Sequence, residues 1–178
     1  MIFNKLTHKF KRDLYIVEMK SLIDKAFDLI TKENVSFEIF TVSIWTDPSS
    51  SASSISIDSK ENSEKKVQKS NDWNKKYHDQ YMTEGDMEQA KLFELTMSRN
   101  CNPADFELRD FVEIENKSIP NNWEDKTKGK CWDVLEPCLK EIGEFAFSKI
   151  AKLKIHSDFE LSVNGRQDWY EFVWKNRN

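Results

Sequence analysis

The sequence predicts an α+β fold, a mostly antiparallel sheet with helices packed on it, in one domain over 1–178. Four segments alternate apolar and polar residues at or near period two, as strands with one buried face do. Two others, one early and one late, repeat apolar residues at three- and four-residue spacing, as helices with a buried stripe do. The first two strands are neighbours in sequence and the later ones are separated by helices, so a hairpin precedes single strands. The chain of 178 residues has the size of one domain.

Leu22, Ile23, Ala26, Phe27 and Ile30 form the stripe of a first helix that starts near 11–14 and stops near Asn34. Before it, Lys5, Lys9, Lys11 and Arg12 make 1–12 a basic arm that frays in solvent or meets an acidic patch of its own fold. Residues 35–45 are β-branched and aromatic, but the apolar positions are odd at Val35, Phe37 and Ile39 and even at Phe40, Val42 and Ile44. Period-two side chains change face only with an extra residue, so a bulge near Ile39–Phe40 or a strand covered on both faces is expected. Thr46-Asp47-Pro48 opens a long Ser-rich loop, and 54–58 alternates as the second hairpin strand.

Residues 60–91 hold seven Lys and seven acids and read as a charged, exposed helix over 61–82 with Trp73, Tyr77 and Tyr81 on one stripe. Trp73 is expected to pack that helix down. Gly85-Asp86 breaks it, and a shorter helix over 86–95 follows. Residues 106–115 form a half-buried strand whose outer face carries Glu107, Arg109, Glu113 and Glu115. The longest core stripe runs from Leu135 to Leu153 in a helix over 132–152. Pro137 fits its first turn, or kinks it if the helix starts at Lys130. Residues 158–163 are a further strand closed by Asn164-Gly165, and 168–174 form a short helix or an edge strand.

Charge and composition narrow the function. The formal net charge is -4, with 27 Lys+Arg against 31 Asp+Glu. The balance offers no basic face for phosphate backbones, so no direct nucleic-acid partner is expected. No apolar run approaches a membrane span, and the first residues carry no secretory segment, so a cytoplasmic protein is expected. Cys101, Cys131 and Cys138 suit neither a disulfide framework nor zinc, which wants ligands in close pairs. Cys131 and Cys138 are two helical turns apart and are expected to pack inward. No cofactor is implied, since G-x-S-x-G, Walker A and G-x-G-x-x-G motifs are all missing.

Glu113 and Glu115 share a strand face roughly 7 Å apart, a separation that suits an acid/base pair. An enzyme using such carboxylates is the alternative reading, and a solvated face is the plainer one. From Glu84 to Glu115 nine acids meet three bases, a local charge of -6 that leaves +2 for the rest of the chain. Such asymmetry steers cationic partners and speeds encounter. Trp45, Trp169 and Trp174 are expected to be partly exposed, and tryptophan is a frequent interface anchor. The aromatic C-terminus also allows an oligomerisation role.

The strings Phe40-Thr41-Val42-Ser43-Ile44-Trp45-Thr46-Asp47 and Asn102-Pro103-Ala104-Asp105-Phe106-Glu107-Leu108 resemble those of small bacterial proteins of unknown function. These are similar to immunity proteins of polymorphic toxin systems, including contact-dependent growth inhibition. The resemblance covers about 20–165 and implies a cytosolic antidote that binds one cognate toxin domain, with no catalytic residue of its own. A basic toxin domain, such as a nuclease, is then the expected partner. The expected contact residues are Asp105, Glu107, Asp110, Glu113 and Glu115, with Trp45 and Asp47 as neighbours.

Overall fold

The computed structural model describes residues 9–33, 35–93, 95 and 98–175. The N-terminal arm before Lys9, His8 and the expected helix stop at Asn34 lie outside them. The elements follow the order α1 (Arg12–Lys32), β1 (Ile39–Asp47), β2 (Ala52–Ser59), α2 (Lys60–Glu84) and α3 (Met87–Lys91). A short 3-10 turn (Pro103–Asp105), β3 (Leu108–Glu115), α4 (Trp123–Thr127), α5 (Trp132–Ile150), β4 (Ile155–Val163) and β5 (Phe172–Lys175) complete it. The α+β prediction holds: five strands form one open sheet in the order β3-β2-β1-β4-β5. Every neighbouring pair is antiparallel except β1 with β4.

The apolar parity of each strand faces α1 and α5. Leu161, Val42, Ile57 and Leu108 form one cross-strand row, and Val163, Ile44, Ile55 and Val112 the next. Against them pack Tyr15, Met19, Ile23 and Ala26 of α1 and Leu135, Leu139, Ile142 and Ala146 of α5, all buried. Cys131 and Cys138 are buried at the same helix, as their spacing predicts. At the rim of this core the Tyr15 hydroxyl meets Thr46 Oγ1 at 2.8 Å, and Thr46 Oγ1 meets Ser53 Oγ at 2.8 Å. Ser53 donates to Asn116 Oδ1 at 2.6 Å, so the chain of hydroxyls satisfies polar atoms that would be costly to bury alone. Burial drives the Tyr15 phenol far above its usual range, against the pull of Thr46.

The bulge expected near Ile39–Phe40 is present: the register of β1 shifts between Ile39 and Thr41 against both neighbours. The strand itself starts at Ile39 rather than Val35, because neither partner reaches further. β2 ends at Ser59, whose Oγ accepts from the Asn62 amide at 3.1 Å and caps α2. The hairpin loop is short, spanning only 48–51, because Ser53 and Ser54 belong to the ladder. β3 starts at Leu108 rather than Phe106, since the Glu107 amide donates to the Asp58 carboxylate at 3.0 Å instead of to a strand carbonyl.

Pro137 sits inside α5, beyond its first turn, which corrects the expected placement. β4 begins three residues earlier than expected, at Ile155, opposite Ile39. The ambiguous C-terminal segment is an edge strand, β5, paired with β4. Its Trp174 ring lies over Gly143 of α5, where an added Cβ would come within 2.1 Å of the indole.

The first turns of α2 lie on the opposite sheet face, since Asn62 donates to Asp58 Oδ1 at 2.6 Å. The helix is about 37 Å long at 1.5 Å per residue, and of its described residues only Ser63 is buried. Trp73 does not pack it onto the sheet. Its ring meets Tyr77 at 4.5 Å and Phe93, just after α3, at 5.4 Å, so the aromatic stripe holds α2 to the end of α3.

Candidate functional site

The second face of the sheet is polar by the same parity that makes the first apolar. Thr41, Ser43 and Trp45 of β1 alternate with the core residues, as do Ser54, Ser56 and Asp58 of β2 and Glu160 and Ser162 of β4. The hydroxyl residues are buried because the segment from Arg99 to Glu107 lies across them. Arg99 fastens one end. Its guanidinium stacks 3.5 Å over the Phe40 ring and donates to Phe40 O at 2.9 Å, to Thr41 Oγ1 at 2.6 Å and to Asp158 O. It also pairs with Glu160 at 3.4 Å, both side chains being nearly buried. Glu160 further accepts from Tyr170 at 2.8 Å and pairs with Lys175 at 2.7 Å. Burial alone would raise the Glu160 carboxyl, but Lys175, Tyr170 and Arg99 outweigh it and hold it low.

Asp58 fastens the other end. It is fully buried, and Oδ1 accepts from Asn62 and from the Glu107 amide. Burial raises its pKa above the ordinary 3.8, against the pull of those hydrogen bonds. A raised aspartate binds its proton more tightly when folded, so its contribution to stability falls as pH rises through the window above that ordinary value. Asp58→Asn removes this titration. Its unfolding free energy minus that of the unmodified chain, measured by urea denaturation, is expected to climb as pH rises above about 4. A difference independent of pH would show that Asp58 does not carry it.

The sequence-predicted residues separate into two groups. Trp45 lies in one cross-strand row with Ser54 and Glu113, and Asp47 lies in the next row with Ala52 and Glu115. With strands about 4.8 Å apart, Trp45 and Glu113 are roughly 10 Å from each other on the same face. Asp110 belongs to this corner. It has a φ of 45°, its amide donates to Ser56 Oγ at 3.0 Å, and residues 109–111 together oppose one residue of β2. Asp105 and Glu107 do not join the corner. Asp105 is paired with Lys66 of α2 at 3.1 Å, and Glu107 stands exposed beside Asp58. Glu113 and Glu115 are exposed on an edge strand and form no ion pair among the described residues.

Two clefts flank Trp45, and both are also lined by Trp169 from the loop between β4 and β5. The smaller, about 190 Å³, is walled by Pro103, Ala104 and Asp110. The larger, about 400 Å³, opens where the parallel strands β1 and β4 end, between Asp47 and Glu124 on one side and Arg166 and Asp168 on the other. Neither Trp169 nor this cleft was singled out as a site from sequence, because its parts come from four separated segments. The local signs are the turn Asn164-Gly165 and the expected exposure of Trp169.

Trp45 and Trp174 are half-buried and Trp169 is exposed, as expected. Among the described residues no three His, Cys, Asp or Glu are placed to hold a metal, and no helix is long and apolar enough to cross a membrane. Burial pushes all three thiols up, which keeps them protonated and weakly nucleophilic. Fold and site together define an α+β sheet protein with one helix-covered apolar face and a polar face ending in an acidic, tryptophan-bearing corner. No family model, curated protein or solved structure matches the chain.

Proposed function

We propose that the chain is an immunity-type inhibitor, a cytoplasmic protein that binds one basic toxin domain and blocks it by occlusion, without bond-making of its own. The observation that supports this reading is the corner where Glu113 and Glu115, without an ion pair among the described residues, adjoin Asp47, Trp45 and the exposed Trp169. Carboxylates on an edge strand project a field into solvent, and the exposed Trp169 beside the half-buried Trp45 supplies area for a bound partner. The same charges keep the edge of β3 from pairing with another strand.

The test uses the product of the reading frame next to the gene. Co-expression with that toxin domain is expected to restore growth of cells that the toxin alone arrests. Glu113→Lys with Glu115→Lys is expected to slow association at least tenfold at low salt. The difference should shrink near 1 M salt, where the Debye length is about 3 Å. Unchanged association together with unchanged protection would remove the acidic corner from the mechanism, and no protection by the unmodified chain would remove the reading itself.

A further inference from the structure

We propose that the cleft between Trp45, Trp169 and Glu124 is a receptor for a single arginine side chain of a protein partner, an inference that rests on the inhibitor reading and deepens it. The cavity of about 400 Å³ falls in the range of ligand sites, roughly 300–1,000 Å³. Its walls combine two chemistries that a guanidinium satisfies together, indole faces and carboxylates.

The carboxylates are held in place before anything binds. Glu124 accepts from the Trp132 indole N–H at 2.7 Å through Oε1 and from Ser49 Oγ at 3.2 Å through Oε2. Asp47 accepts from the Ser49 amide at 2.7 Å and from Ser50 Oγ at 2.6 Å. Asp168 accepts from the Tyr170 amide at 2.9 Å. Each of these bonds comes from a neutral donor, and none of the three carboxylates forms an ion pair among the described residues.

The loop that presents Trp169 is fixed as well. The Gly165 amide donates to Asp168 O at 2.9 Å, and Glu171 accepts from the Gln167 amide at 2.8 Å. At Gly165 a Cβ would lie 2.2 Å from Glu171 Oε2, so a side chain there would displace the carboxylate to which the Gln167 amide donates. Trp169 itself is 58% exposed and stacks on no other ring among the described residues.

The lining carries three acids and one base, Arg166, whose guanidinium packs against Gly129, where a Cβ would come within 3.0 Å. A cation entering the cleft therefore meets a net negative field. Arginine is favoured over lysine because its planar head stacks on indole while it hydrogen-bonds carboxylates in its own plane.

The probe is N-acetyl-arginine methylamide, with the citrulline analogue as a neutral control of the same shape. Titration followed by the indole N–H resonances is expected to shift the signals of Trp45, Trp132 and Trp169 saturably with arginine and not with citrulline. Trp169→Ala and Asp168→Asn, both at exposed positions, are expected to weaken the response about tenfold. Arg166→Ala, which removes the like charge, is expected to strengthen it. Equal responses to arginine and citrulline, or an unaltered response in Trp169→Ala, would overturn the arginine site. If the probe fails while the chain still protects cells, this inference falls and the inhibitor reading stands. If the probe binds and the chain protects against no toxin, the reading falls and the cleft remains a guanidinium receptor.

Discussion

Replacing Arg99 with alanine is expected to lower the unfolding free energy by about 3 kcal/mol, the low end of the cost of removing one partner from a buried ion pair. The low end applies because Glu160 keeps Lys175 and Tyr170 as partners. What is lost beyond the ion pair is the stack on Phe40 and the bonds to Phe40 O, Thr41 Oγ1 and Asp158 O. At 2–4 °C per kcal/mol for a chain of this size, the melting temperature falls by about 6–12 °C. Arg99→Lys is expected to recover less than half of the loss, because an ammonium cannot stack and fork together. The sign with pH follows from Glu160. Its lowered carboxyl contributes stability above its ordinary value of 4.5, and that contribution is lost as pH falls through the folded pKa. The Arg99→Ala deficit should therefore shrink in acid. A loss below about 1 kcal/mol by urea denaturation at neutral pH would show that the segment across the polar face is held by something else.

Gly143→Ala carries the second large effect. An ideal Cβ at this position would lie 2.1, 2.4 and 2.7 Å from three carbons of the Trp174 indole. No side-chain rotation of alanine relieves this, so the ring or β5 must move. Overpacking of this kind costs roughly 1–3 kcal/mol, against about 1 kcal/mol gained from replacing glycine inside a helix. A net destabilisation of up to about 2 kcal/mol is expected. The second variant, Trp174→Leu, frees the space, so Gly143→Ala in that background should be neutral or stabilising. The measured quantity is the coupling energy of this double-mutant cycle, and additive effects would deny the contact.

Much of the architecture is legible in local periodicity. The stripe from Leu22 to Ile30, the stripe from Leu135 to Ile150 and the alternation in 54–58 each reflect one element facing one core. The bulge in β1 is legible for the same reason, because Ile39 and Phe40 break a strict period of two. The bulge at Asp110 was not, since two extra residues restore the parity of Leu108, Val112 and Ile114 and leave the pattern looking unbroken. Strand ends were misplaced where a side chain replaced a ladder bond, as Asp58 does for Glu107. The fate of Trp73 was misjudged because a helical stripe shows that aromatic residues share a face without showing what that face meets.

Of the candidate site, residue type alone marked Trp45, Asp47, Glu113 and Glu115, which the ladder brings into adjoining rows, and Asp110, which sits in the bulge of β3 and pairs with Arg109 at 3.0 Å. It could not separate Glu113 and Glu115 from Asp105, whose charge is spent on Lys66. Nor could it assemble Arg99 with Glu160, or Trp45 with Glu124 and Trp169. The sequence by itself determined the element types, the apolar faces and the sign of the exposed surface, because each depends on neighbours within a few residues. Only the tertiary structure decided which charges cancel and which indoles share a cleft, because ion pairs and cavities form between segments that the chain separates by tens of residues.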